Sequence, residues 1–286
     1  MKRTIPTGVL VLAACIPVLI AQQGQPAPAG QAAPAGQAAP AAPAAPAVPP
    51  EQAALMALQT AYNSQKPDDI IKAAEDLVNN FPSTRFKETA LSFEAAAYQM
   101  KGDNAGAQVA WGRVIEANPN SISGNLKLGG LIAQTTRDKD LDRDDQLAKS
   151  EKYLKNVIEI LKTSAKPNPQ VSDQDWETAK KRFDAEAHND LGMVALTRAM
   201  ANKDTDPQKY TPAINEFQIA STEDATQATY SARLAAVYQN AGKSTEALAI
   251  CDKLLADPGL NPGVKPFVEN LKNTATKSLA AAPAKQ

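Results

Sequence analysis

Small, aromatic and turn-forming residues return in one order along this chain, and that order leaves few folds open to it. In "TALSFEAAAYQMKGDNAGAQVAWGRVIEANP" a first segment sets Ala95 and Tyr98 on one helical face, and Gly102 turns the chain. A second segment then presents Ala107, Trp111 and Val114 at i, i+4 and i+7 before Pro119 stops it. The spacing is helical throughout, with no competing strand alternation. Two helices packed side by side follow, with small residues letting the backbones approach and the aromatic filling the groove beside them.

The same order comes back elsewhere. "SARLAAVYQNAGKSTEALAICDKLLADP" supplies Ala235, Tyr238, Gly242, Ala247 and Leu254, with Cys251 in the place of the aromatic, so Cys251 reads as a small core residue. "ALMALQTAYNSQKPDDIIKAAEDLVNNFP" supplies Tyr62, Ala74, Leu77 and Pro82 but lacks the turn glycine, leaving its register open by one residue. Two middle copies carry Leu128 with Gly129, and Leu191 with Gly192. Their second helices, "SEKYLKNVIEIL" and "YTPAINEFQIA" with Ala213 and Phe217, arrive about nine residues later than the repeat length allows, so both insertions fall between the helices of a pair. One long helix is expected across Trp176, Ala179, Phe183, Ala187, Leu191 and Val194, which share a face with no breaker between them. After residue 260, Phe267, Val268 and Leu271 oppose Lys265, Glu269, Asn270 and Lys272, the two-sided character that the last unit of a stack needs.

These positions resemble the tetratricopeptide repeat, a two-helix unit of about 34 residues. Ala95, Tyr98, Gly102, Ala107, Trp111 and Pro119 match its pattern in order, as do Gly129, Gly192, Phe217, Ala235, Tyr238, Gly242 and Ala247 in the other copies. The resemblance implies an all-α fold: a right-handed superhelix of about five antiparallel helical hairpins with a C-terminal capping helix, over residues 51–279. It also implies a concave face lined by the first helices. Projecting the pattern onto that face gives Gln99, Gln134, Asn189, Gln239 and Asn240, with Tyr62 or Asn63 according to register. Primary amides both donate and accept, so they suit the backbone of an extended peptide, and they equally suit simple solvation of a groove. No set of Lys or Arg is expected among them.

The ends are of different composition. "MKRTIPTGVLVLAACIPVLIAQQGQ" has a basic start, an apolar run and the small Ala21 before a polar stretch, which reads as an export signal over residues 1–21. "LAAC" within it resembles a bacterial lipobox, whose Cys15 would be acylated. Cleavage near Ala21, lipidation at Cys15 and retention as an anchor remain open, and all three place the domain outside the cytoplasm, in the periplasm or cell envelope. Residues 22–50, "QQGQPAPAGQAAPAGQAAPAAPAAPAVPP", are uncharged and rich in Ala, Pro and Gly, as is the tail over 280–286; neither has the composition of a packed core, and a spacer or a passive leader is expected.

Composition narrows the functional classes. A formal net charge of -1, with 30 Lys and Arg mixed among 31 Asp and Glu, offers no basic stripe, so nucleic acid is not an expected partner. No HExxH, GxSxG, GxxxxGK[ST] or cysteine pair occurs in the chain. His188, the one histidine, reads as structural. "DKDLDRDD" has alternating carboxylates, but an EF-hand requires Gly and Glu where Arg143 and Lys149 stand, and a solvated turn is expected. The expectation is therefore a non-enzymatic envelope scaffold with protein or peptide partners, with no cofactor, metal or small-molecule substrate. Membrane attachment is expected only through an N-terminal lipid or an uncleaved signal. The alternative is a subunit of an envelope assembly or polymer-export complex whose repeats contact other subunits or cell-wall glycan.

Overall fold

The computed structural model describes residues 48–202 and 205–281. The expected export signal with Cys15, nearly all of the Ala/Pro stretch and the tail from 282 lie outside the described residues. Among the described residues the chain forms eleven α-helices, one short 3-10 turn at Pro207–Tyr210, and no strand. In chain order they are α1 (Pro50–Ser64), α2 (Pro67–Asn80), α3 (Lys87–Lys101), α4 (Asn104–Ala117), α5 (Ile122–Thr135), α6 (Arg143–Thr163), α7 (Asp173–Ala201), α8 (Thr211–Glu223), α9 (Ala228–Asn240), α10 (Ser244–Leu255) and α11 (Lys265–Ala281).

Local chemistry sets the helix boundaries. Pro50 and Pro67 open α1 and α2, where a missing N–H costs nothing. The side chains of Asp103, Ser121 and Ser172 accept hydrogen bonds from the first-turn amides of Gly106, Gly124 and Asp175, capping α4, α5 and α7. Gly102 and Gly242 turn the second and fifth hairpins at φ 74 and φ 71. That left-handed conformation is one that Gly adopts freely.

Consecutive helices pair into five hairpins, α1/α2 through α9/α10, and each second helix packs on the first helix of the next hairpin. Direct contacts of α5 with α7 and of α9 with α11 place the first helices in one layer and the second helices in another. Within hairpins a small residue faces a large one. A side chain built on Gly129 would sit 2.8 Å from Leu154, and one on Gly192 would sit 2.7 Å from the Phe217 ring. Both glycines lie at the small position of the pattern, so the pairs α5/α6 and α7/α8 approach closely only because that position is bare.

The 29-residue α7 is unbroken, with Trp176 buried at its start and donating from Nε1 to the Ser164 carbonyl at 3.3 Å. The insertion in the third hairpin is divided between the 136–142 turn and the 21-residue α6. In α11 the buried residues are Val268 and Ala275, whereas Phe267 is 47% exposed. The face that closes the stack is therefore rotated from the expected one: Val268, Leu271 and Ala275 share the side turned to α9 and α10, and Phe267 lies off it.

Candidate functional site: the first-helix layer of hairpins three to five

A row of polar side chains joins α5, α7 and α9 across the first-helix layer. Lys127 of α5 reaches Glu186 of α7 at 2.5 Å. One turn on, Asn189 donates to the neighbouring Asp190 carboxylate at 2.9 Å and accepts from the Arg233 guanidinium of α9 at 2.8 Å. Asp190 itself lies against α5 at Gly130, where an added Cβ would stand 2.2 Å from its Oδ2. Only a glycine leaves room for a carboxyl there. Gln134 of α5 borders the same spot, its Nε2 lying 3.8 Å from that Cβ position.

Burial governs the electrostatics of this row. Asp190 is 2% exposed, and burial pushes its carboxyl up to about 7, aided by the charge of Glu186 and opposed by Arg233, Lys127 and the Gln134 amide. The Tyr230 hydroxyl is likewise raised, first by burial and then by Glu186, Asp190 and Asp224. Opposite charges thus alternate along the first helices of three successive hairpins, with two of the anchoring groups, Asn189 and Asp190, out of solvent.

The sequence-derived groove residues are distributed unevenly over this layer. Gln134 and Asn189 belong to the row. Tyr62 is half-buried with its ring stacked on Phe93 of α3 at 4.6 Å, which sets the register of the first hairpin, while Asn63 is exposed and accepts from Gln59 at 3.2 Å. Gln99 is exposed and accepts from the Trp111 indole at 3.3 Å. Gln239 donates to Ser278 of α11 at 2.9 Å, with its Oε1 enclosed and unpartnered, so the closing helix reaches over it; Asn240 remains exposed. The amide-only reading needs correcting, because Lys127 and Arg233 stand in the same layer. A usable signal existed. Phe93, Lys127, Asp190 and Arg233 each lie two residues before the small position of their repeat, Ala95, Gly129, Gly192 and Ala235, and all four face a neighbouring first helix.

His188 is held on both ring nitrogens, by Glu216 at 2.6 Å and by Asp184 at 3.8 Å, between α7 and α8. Its pKa is raised, chiefly by the Glu216 hydrogen bond. In the 137–144 turn the acids are met locally: Asp140 accepts from the Arg137 amide, and Arg143 pairs with Asp144 and the Asp138 carbonyl. Among the described residues no three His, Cys, Asp or Glu side chains are gathered as a metal site would require, and no helix is long and apolar enough to cross a membrane.

No protein-family model matches the chain, and no curated protein does. Solved structures of similar form include a thermophilic TPR protein, TTC0263, from Thermus thermophilus, at 18% identity over 80% of this chain and 99% of that one, with a TM-score of 0.48. A MamA protein is similar at 21% identity over 69% of this chain and 90% of its own, TM-score 0.42. The TPR domain of P58(IPK) is similar at 16% identity over 79% and 64%, TM-score 0.32. Five stacked hairpins, small residues set against Leu154 and Phe217 at the repeat positions, and a closing helix give this chain a tetratricopeptide-like fold.

Proposed function

We propose that this chain is a non-enzymatic scaffold of the cell envelope that binds a protein or peptide partner along the first-helix layer of hairpins three to five. The observation that carries this reading is the row Lys127, Glu186, Asp190, Asn189 and Arg233, which sets a cation on α5 and on α9 either side of the acids of α7, the first helices of three successive hairpins. An extended peptide lying across the layer meets a donor or an acceptor at each helix, and the buried members hold the half-exposed ones in place without ordering cost on binding. His188 is occupied by carboxylates on both sides, which supports a structural role for it. The envelope placement draws on the basic, apolar and small-residue order of the N-terminal sequence.

The test is photo-crosslinking in cells that export the chain. Crosslinkers replace Gln134 or Glu186 on the first-helix layer, and Glu246 or Lys253, both exposed, on the second-helix layer. A partner captured from the first pair and not from the second is the expected result. Capture confined to Glu246 and Lys253 overturns the reading.

A further inference from the structure

Asn189 stands between two groups of opposite demand. The Arg233 guanidinium can only donate, so it takes the Asn189 Oδ1 at 2.8 Å, which leaves the amide NH2 to the Asp190 carboxyl at 2.9 Å. With both neighbours in place the amide can face only one way. Lys127 meets its acid, Glu186, directly, whereas Arg233 of α9 is held on α7 through a neutral side chain that a buried acid orients. Asn189 is 3% exposed and Asp190 2%, so neither has solvent as an alternative partner, while Arg233 is half-buried and reaches the surface of the layer.

The groups that act on Asp190 come from each helix packed around it. They are Glu186 on its own helix, Lys127 and the Gln134 amide on α5, and Arg233 and Tyr230 on α9. Burial and Glu186 favour the neutral acid, Arg233 and Lys127 the ionised one, and the balance lies near neutrality, at about 7. Coupling of this kind is reciprocal. If Arg233 favours the ionised acid, the ionised acid holds Arg233 more firmly by the same factor. We propose that Asn189 and Asp190 are positioning residues for Arg233, and that the proton on Asp190 sets how firmly the guanidinium is fixed to the first-helix layer. Its consequence for binding rests on the scaffold reading above, in which Arg233 meets the partner. A guanidinium already fixed loses less freedom on contact, so partner capture through Arg233 weakens as Asp190 takes up its proton.

NMR on the full chain, with no partner added, tests the proposal. The Nε and Cζ signals of Arg233, identified by their loss in Arg233→Gln, are followed from pH 5.5 to 8.5 together with the Cγ signal of Asp190. Rotation about the Arg233 Nε–Cζ bond should slow by about threefold as pH rises, with the midpoint of the Asp190 titration. Asp190→Asn, of the same shape and uncharged, should keep the fast rotation at every pH; exchange with water is common to both chains and cancels. In Asn189→Ala the acid should still titrate while Arg233 no longer follows it, a separation that a merely structural role would not give. Arg233→Gln should raise the Asp190 midpoint by about 0.5, the same threefold read from the other side. Helicity is checked for each variant, and the wild type alone decides if a variant loses its fold. Arg233 rotation that is unchanged across the Asp190 titration overturns the proposal, as does a pH response that persists in Asp190→Asn. Crosslinking from Gln134 and Glu186 tests the scaffold reading separately. An Arg233 that follows Asp190 in a chain that captures no partner upholds the positioning role and removes only its consequence for binding.

Discussion

Gln65 holds a left-handed backbone, φ 56 and ψ 25, where Gly102 and Gly242 turn the second and fifth hairpins. A side chain in that conformation costs roughly 1–2 kcal/mol, part of which glycine returns through its freer unfolded state. Gln65→Gly should therefore stabilise the protein by about 0.5 kcal/mol, and Gly102→Ala should destabilise it by about 1 kcal/mol, both read as shifts of the urea midpoint. The first hairpin departs from the repeat pattern in residue type but not in geometry, which is why its register could not be read from a missing glycine. Tyr62 shows the converse. Its place was legible within one residue, and the ring of Phe93, distant in sequence, decides that it packs between helices.

At the scale of elements, the helix pairs were legible because each rests on a close approach that the sequence marks with a bare or small residue. Gly192→Ala forces a Cβ to within 2.7–2.9 Å of the Phe217 ring, and overpacking of this kind costs about 1–3 kcal/mol. Phe217→Leu in the same chain should recover part of that loss, measured as the unfolding midpoint of the double variant against each single one. No recovery would mean that α7 and α8 are held apart by other contacts. Trp111, 3% exposed and bonded to Gln99, should cost about 3–5 kcal/mol when truncated to Ala. The polar row was less legible. Charged residues in helices usually face solvent, and the pattern does not say that Asp190 meets Gly130 or that Arg233 meets Asn189 until the hairpins are stacked.

Across the whole molecule the buried charges act on stability in one direction near neutral pH. Asp190, Glu94 and Asp184 have pKa values raised by burial, so the native state holds more protons than the unfolded chain between the ordinary carboxylate range and their folded values, about 7 for Asp190. The stability associated with these protons is lost as pH rises through that window. His188, raised mainly by Glu216, contributes stability that is fully present below its unfolded value and is lost as pH rises through its folded one. The urea midpoint should therefore climb as pH falls from 8 to about 5, and Asp190→Asn should flatten the climb; an unchanged slope would remove Asp190 from this account. The central claim concerns the first-helix layer that carries Lys127, Glu186, Asn189, Asp190 and Arg233, and the most direct measurement is affinity for the crosslinked partner, with the fold of each variant checked. Arg233→Ala and Glu186→Gln, which change half-buried members of the row, should each weaken binding about tenfold. Replacing Asp140, Asp142 and Asp144 with Ser in the inserted turn should leave affinity unchanged. The reverse ranking, with the row variants binding as the wild type does and the turn variant failing, would contradict the account and move the binding surface to the inserted edge.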